Sequence, residues 1–373
     1  MRYEYRLWVI VGVVAVVSIA LQAQRPNDSA PPKVVIDDEG TVHVPAMEVP
    51  LSTFLSPEAK AYVTQHLKDM QRPTRLAQNN GVPPLIAPYI DRQKALFAVT
   101  REDTRIAGVH AYIYTPEAGV ADPTRVLINL HGGGFSGCWP ACAELESIPI
   151  AALARARVIS LDYRQGPTYK FPAASEDVAA VYKELLKNHD PQKIGIYGCS
   201  AGGMLTAMAV AWFQKHNLPA PGAIGILCAG AGSLSGAGFG GDADYTAAPL
   251  GEARGAPPPR RVPGPGRSGL AYLAGTDPND PLVAPVNSPD VLAKFPPTLV
   301  VTATRGFELS NAVYTHNQLV KRGVEAELHV WDGLFHGFFY NPDVPESRDC
   351  YNVIVKFFER HLGRAAVARK QGS

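Results

Sequence analysis

Ile194-Gly195-Ile196-Tyr197-Gly198-Cys199-Ser200-Ala201-Gly202-Gly203 is the stretch on which the reading of this chain turns. Ile194 to Tyr197 is apolar and short, as a buried strand is, while residues 201–216 are small or apolar and read as a helix. Between them stands Gly-x-Ser-x-Gly. A strand that passes abruptly into a helix crowds every side chain except the central one. Glycines on both flanks relieve that crowding and let Ser200 Oγ project above the sheet. The motif alone is weak, since chance supplies roughly 0.1 copies in a chain of this glycine content; the strand before it and the helix after it give it meaning.

Working outward, the same alternation repeats. His110 to Tyr114, Arg125 to Leu130, Val158 to Leu161, Ile224 to Cys228, Thr298 to Ala303 and Ala326 to Trp331 read as strands, and 175–187, 310–322 and 346–362 as helices. Strands alternating with helices indicate an α/β class with a mainly parallel sheet covered on both faces. Residues 51–104 precede this pattern. Ser56-Pro57 supplies an N-cap and a first-turn proline for one helix, and Ile90 to Val99 suggests a second.

His131-Gly132-Gly133-Gly134 lies at the end of a strand, 69 residues before Ser200. Acyl transfer builds negative charge on a carbonyl oxygen, and preorganised N–H groups stabilise it. Consecutive glycines leave their amides unobstructed. His131 itself reads as structural. The base belongs in a loop after the late strands, because the order on this architecture is Ser, acid, His. Of the histidines after Ser200, His216 and His316 fall in helices, His329 in a strand and His361 in the terminal helix. Only His336 sits in such a loop, between Gly333 and Gly337.

The bulk numbers exclude other classes. With 35 basic and 34 acidic residues, the chain offers no field suited to nucleic acid, and a small, largely neutral substrate is the plainer expectation. Arg2 and Arg6 precede an apolar run from Leu7 to Leu21, about 22 Å as a helix and short for a membrane span of about 30 Å. Residues 1–23 therefore read as an export signal, with a retained membrane anchor as the alternative. Residues 24–50 read as a Pro-rich linker, 231–268 as a Gly/Pro-rich insertion forming a flap near the site, and 364–373 as a tail. Gly236-x-Gly238-x-x-Gly241 lacks the βαβ unit that a dinucleotide site needs and reads as loop. Of five cysteines, Cys138 and Cys142 are close enough in sequence to pair after export, and they lack the second Cys/His pair of a metal site.

Taken together, His131-Gly-Gly-Gly-Phe135, Asp162-Tyr163-Arg164 with Phe171-Pro172-Ala173-Ala174, Gly198-Cys-Ser-Ala-Gly-Gly203 and His336 resemble the hormone-sensitive-lipase-like branch of the α/β-hydrolases across residues 105–363. The resemblance implies an α/β-hydrolase fold, an N-terminal helical cap over residues 51–104, and esterase or lipase-like action on short or medium acyl esters without a cofactor. It also implies oxyanion donors at the amides of Gly133, Gly134 and Ala201. Three departures stand out. Cys199 occupies the position where the family has Asp; the elbow projects only its central residue, so Ser200 remains the nucleophile. Gln165-Gly166-Pro167-Thr168 replaces Leu-Ala-Pro-Glu. In Thr304-Arg305-Gly306-Phe307-Glu308, Gly306 stands where the family acid, an Asp, is common.

Glu308 is the first carboxylate available there, and its extra methylene allows it to reach the imidazole from a shifted backbone position. Asp332 is the competing acid, although it sits as a turn former beside Gly333; Asp277 and Asp280 shape a Pro-rich turn. The chemistry expected is attack by Ser200 on an ester or lactone carbonyl, with His336 as base and Glu308 fixing its tautomer. Phe135 and Trp139 are placed either to line the acyl pocket or to pack beneath the cap. A non-catalytic small-molecule binding protein on the same fold is the alternative; the survival of Ser200, His336 and the glycine tetrad argues against it.

Overall fold

A computed structural model describes residues 33–72, 82–232, 241–251 and 270–363. The segment up to Pro50 is a unit of its own, and its described part holds one small antiparallel pair, β1 (Val35–Ile36) with β2 (Val42–His43). The linker is thus less irregular than its composition suggests. The expected export signal and the C-terminal tail fall outside the described residues. So do Gly236 and Gly238 and most of the insertion. Of its described residues, 231–232 and 241–251, the second group contains two short helical turns, Asp242–Asp244 and Ala248–Gly251. Among the described residues no helix is long and apolar enough to cross a membrane.

The second unit, from Leu51, carries an eight-stranded sheet in the order β10-β9-β8-β7-β5-β6-β4-β3. The strands are β3 (Val99–Ile106), β4 (Val109–Pro116), β5 (Val126–Leu130), β6 (Arg157–Leu161), β7 (Ile194–Cys199), β8 (Ala223–Leu227), β9 (Thr298–Ala303) and β10 (Ala326–Trp331). All pairings from β6 through β5, β7, β8 and β9 to β10 are parallel, and β4 pairs antiparallel with both β6 and β3. Every residue of β5, β7, β8 and β9 is buried. Such strands read as continuous apolar runs because helices cover both faces.

Two apolar layers result. One packs α4 (Ala173–Leu185), α5 (Ala201–Lys215) and Leu319 of α6 (Leu309–Lys321) on one face. The other packs α3 (Ala141–Ala154) and α7 (Pro345–Leu362) on the opposite face, where Leu55, Ala59 and Val63 of the N-terminal segment join them. Ser56 caps α1 (Pro57–Met70) by accepting from Ala59 N, and it also binds Glu346 of α7 through its own N–H and hydroxyl. The cap is thereby tied to the last helix. A second cap helix, α2, spans Ala87–Leu96.

Two elements correct the sequence reading. Residues 99–104 do not belong to a helical cap: they open β3, an edge strand joined to β4 through Ala107 and Gly108, both at positive φ as a tight hairpin turn requires. Its charged residues protect an exposed edge, which hid its strand character. Helix α3 was not anticipated at all. Nearly all of it is buried and Pro149 lies inside it, so no amphipathic period marks it.

Candidate active site

Ser200 occupies the turn between β7 and α5 with φ 58° and ψ −122°, a backbone conformation that L-residues rarely adopt. Its N–H donates to Leu227 O at 2.8 Å, and its carbonyl receives Met204 N at 3.0 Å. The flanking glycines are dictated by close approach. A Cβ on Gly198 would lie 2.1 Å from Leu130 O, and one on Gly202 would lie 1.6 Å from the same oxygen. Ala201 is the first residue of α5, so its amide is among those that a helix start leaves without an intrahelical acceptor, at the positive end of the helix dipole. Cys199, by contrast, is fully buried, and burial pushes its thiol well above the ordinary range. It is not a thiolate in waiting.

The glycine tetrad continues from β5. Gly133 and Gly134 both have positive φ, and a Cβ on Gly133 would sit 2.3 Å from Gly137 O. The chain before them is held from two sides. Tyr163 Oη donates to His131 O at 2.6 Å, with the two rings stacked at 4.6 Å, and Gly132 N donates to Glu146 Oε1 at 2.9 Å. Burial lowers the His131 pKa to about 4, so the ring is neutral near pH 7 and suits a structural role.

His336 lies in the loop after β10. Its Nδ1 is 3.0 Å from Glu308 Oε2, and its ring stacks on Phe307 at 4.5 Å. Glu308 is completely buried, and its other oxygen accepts from Thr302 Oγ1 at 3.1 Å. Asp332 points elsewhere, accepting from Ser52 Oγ and, at 3.3 Å, from Thr304 Oγ1. Gly337 N donates to Cys228 Sγ at 3.3 Å, while Ser200 N binds Leu227. The backbones at Ser200 and beside His336 are therefore fastened to consecutive residues at the end of β8.

Phe135 is a core residue, fully buried and stacked on Tyr272 at 4.7 Å. Trp139 is wedged among Tyr112, His110 and His131. The cavity that reaches His336 has a volume of about 260 Å³ and is walled mainly by Tyr62, His66, Met70, Ile86, Tyr89 and Phe335; Phe135 and Trp139 are not among its lining residues. The cap supplies most of the wall of this cavity, whose lining includes His336 and not Ser200, and the two aromatics after the glycines pack outside it.

Among the described residues, one group of side chains has metal-ligand character, Cys228, Glu308 and His336, with ligand atoms within 4.8 Å of one another. Two of these already share a proton-mediated bond, and a cation there would replace that proton. The sequence reading missed Cys228, Glu146, Tyr163 and Tyr340 as supports of the site. Only Tyr163 carried a signal, through its Asp162-Tyr163-Arg164 motif.

Comparison with known proteins matches residues 127–340, more than half of the chain, to the alpha/beta hydrolase fold. The chain belongs to the α/β-hydrolase fold family. An acetyl-hydrolase of Streptomyces hygroscopicus is 30% identical over 248 residues, which are 64% of this chain and 77% of that protein. An acetyl esterase of Salmonella paratyphi A is 27% identical over 46% of this chain and 59% of its own length. A solved esterase of the bacterial hormone-sensitive lipase family superposes with a TM-score of 0.67 at 25% identity, covering 81% of this chain and 99% of that one. Another, the esterase E25, gives a TM-score of 0.67 at 26% identity over 86% and 98%. Within the α/β-hydrolases, the chain falls in the hormone-sensitive-lipase-like branch and is a carboxylesterase-type hydrolase.

Proposed function

We propose that this serine carboxylic-ester hydrolase cleaves short- or medium-chain esters or lactones through an acyl-enzyme on Ser200, with His336 as base and Glu308 as its acid partner. The observation that carries the reading is the 3.0 Å bond between His336 Nδ1 and a carboxylate that is wholly buried. A carboxylate on Nδ1 makes Nε2 the nitrogen that takes the proton, and it stabilises the imidazolium that forms. His336 removes the Ser200 proton as Oγ attacks the carbonyl carbon. The amides of Gly133, Gly134 and Ala201 receive the oxyanion. His336 then protonates the departing alcohol, and a water attacks the acyl-enzyme in the same way to release the acid.

The acetyl-directed names of the relatives and the modest cavity walled by the cap support short acyl groups. The experiment is hydrolysis of a p-nitrophenyl ester series from acetate to palmitate by wild type, Ser200→Ala and Glu308→Gln. Turnover highest on acetate or butyrate and lost in Ser200→Ala is the expected result. Absence of wild-type turnover at every chain length would sink it.

Export belongs to the same proposal. The charged, short apolar N-terminus supports it, and so does the Cys138–Cys142 disulfide, a bond type that persists in oxidising compartments. Fractionation of expressing cells with N-terminal sequencing tests this: a shortened chain outside the cytoplasm is expected. An uncleaved chain in the membrane fraction would make the segment a tether.

A further inference from the structure

Three separate stretches of chain with parts in the proposed chemistry converge on one side chain of α3. Glu146 is buried, 2% exposed. Its Oε1 accepts from Gly132 N at 2.9 Å and from Tyr340 Oη at 2.9 Å, and its Oε2 accepts from Asn129 Nδ2 at 3.0 Å and from Cys199 N at 3.1 Å. Gly132 precedes the oxyanion glycines, Cys199 precedes Ser200, and Tyr340 closes the helical turn Phe338–Tyr340 that follows His336. We propose that Glu146 is a positioning residue whose carboxylate clamps the oxyanion loop, the nucleophile elbow and the loop of the base into one register. This inference rests on the reading of Ser200, His336 and the glycine tetrad as the reacting groups.

The donor set matches an ionised carboxylate best. Each oxygen receives two donors, and three of the four are N–H groups that can only donate. An ionised carboxylate is acceptor-only and matches them; an amide would aim a hydrogen of its own at one of those N–H groups, and a protonated acid fits only by turning the Tyr340 hydroxyl from donor into acceptor. The backbone of Glu146 is held as well, its carbonyl accepting from Tyr197 Oη at 2.9 Å. Glu144, two residues earlier on the same helix, shows what a stabilising acid looks like here: it pairs with Lys94 and Arg101, both at 2.8 Å. Glu146 is instead placed among neutral groups, where a charge is costly to bury. Despite four donors, burial raises its pKa to about 7.

The titratable groups that face it are Cys199 and Tyr197 from β7, Tyr340 from the turn after His336, and Tyr163 after β6. All are held neutral, since burial pushes each well above its usual range. His131, next to Gly132, is neutral for the same reason, since burial lowers the pKa of a base. A charged group that opposes folding yet ties the reacting segments together is what a positioning role demands. Small displacements matter there, because about 1 Å of misplacement costs on the order of 100-fold in rate.

The test measures kcat and KM for p-nitrophenyl acetate, with the rate of inactivation by a fluorophosphonate, in wild type, Glu146→Gln, Tyr340→Phe and Ser200→Ala. Glu146→Gln keeps the volume and removes the acceptor at one position. Its kcat and its inactivation rate are expected to fall by roughly 100-fold. Its KM should stay within about threefold, since a positioning group acts on the transition state more than on ground-state binding. A kcat within about threefold of wild type overturns the inference. If Glu146→Gln does not fold, Tyr340→Phe decides. It removes the hydroxyl that donates to Oε1, so the carboxylate takes its proton more readily and the acid limb of kcat/KM moves up by about half a pH unit or more. An unmoved limb overturns the inference. Ser200→Ala separates the two levels: wild-type turnover in that variant refutes the underlying reading, whereas an inactive Ser200→Ala beside a fully active Glu146→Gln refutes the positioning role alone.

Discussion

The carboxylate of Glu308 fills the space that a side chain on Gly306 would need. A Cβ on Gly306 would stand 2.5 Å from Glu308 Oε1 and 2.7 Å from Oε2. The loop after β9 thus has room for one carboxylate beside His336, drawn either from position 306, where the resembled family carries Asp, or from position 308. Glu308→Gln is expected to lower kcat by roughly 10³- to 10⁴-fold, the scale seen when a triad acid becomes an amide. Gly306→Asp alone should be nearly as damaging, because the two carboxylates collide and repel. Combined with Glu308→Ala, however, Gly306→Asp should raise kcat about tenfold or more over Glu308→Ala itself. Steady-state kinetics on p-nitrophenyl acetate read all three; a double variant no better than Glu308→Ala would show that the two positions are not interchangeable.

Tyr163 offers a second test, at the oxyanion loop. Its hydroxyl donates to the carbonyl of His131, and both residues are buried. Tyr163→Phe leaves that carbonyl without its donor, at a cost of about 1–3 kcal/mol. Melting should drop by a few degrees. The kcat should fall as well, because the amides of Gly133 and Gly134 follow His131 directly along the chain. Equal kcat in the two proteins would mean that this bond does not hold the loop in place.

Which parts of this architecture were legible follows from where the constraints act. The elbow was readable because close approach to Leu130 O forbids side chains at Gly198 and Gly202, and that prohibition is written in glycine. The central strands were readable because covered strands must be apolar throughout. Glu308 was reachable by elimination once Gly306 vacated the usual position. The pocket was not legible: its walls come from Tyr62 and His66 on α1 and from Phe335 beside the base, residues whose spacing in sequence says nothing of their meeting. Helix α3 was invisible because it is buried on nearly every side, and Glu146 was hidden with it. Two of its four donors are main-chain N–H groups, which contribute backbone and not identity, and the side-chain donors Asn129 and Tyr340 lie far from α3 in sequence with no motif to link them.

The Cys138–Cys142 bridge ties the turn after the glycine tetrad to the first turn of α3 and spans Trp139-Pro140-Ala141. Cys142 N also donates to Cys138 O at 2.8 Å, so the bridge reinforces the turn that launches the helix carrying Glu146. Closing so short a loop contributes about 2 kcal/mol in the chain-entropy account. Dithiothreitol, or Cys138→Ser with Cys142→Ser, should therefore lower the melting temperature and reduce kcat. Melting curves and initial rates with and without reductant check this, and a reduced enzyme with unaltered melting and turnover would show that the helix start needs no covalent tie.

The last prediction concerns stability against pH, where two buried groups act in opposite senses. Glu146 has a folded pKa of about 7 against an ordinary 4.5. The folded chain keeps a proton that the unfolded chain releases, so this contribution is fully present below about 4.5 and is lost as pH rises towards 7. His131 is the reverse: its pKa of about 4 against 6.5 gives a contribution present above 6.5 and lost as pH falls towards 4. Glu146→Gln abolishes the first dependence and keeps the second. The melting temperature of Glu146→Gln minus that of wild type should therefore increase from about pH 4.5 to about pH 7 and level off above it, while both proteins lose stability alike on the acid side. In wild type, turnover should rise over the same interval in which Glu146 weakens the fold, because the ionised clamp that burial disfavours is the form that holds the three segments together. A melting difference that stays constant with pH would mean that Glu146 does not change its charge in this range, and the opposition between clamp and fold would then have no basis.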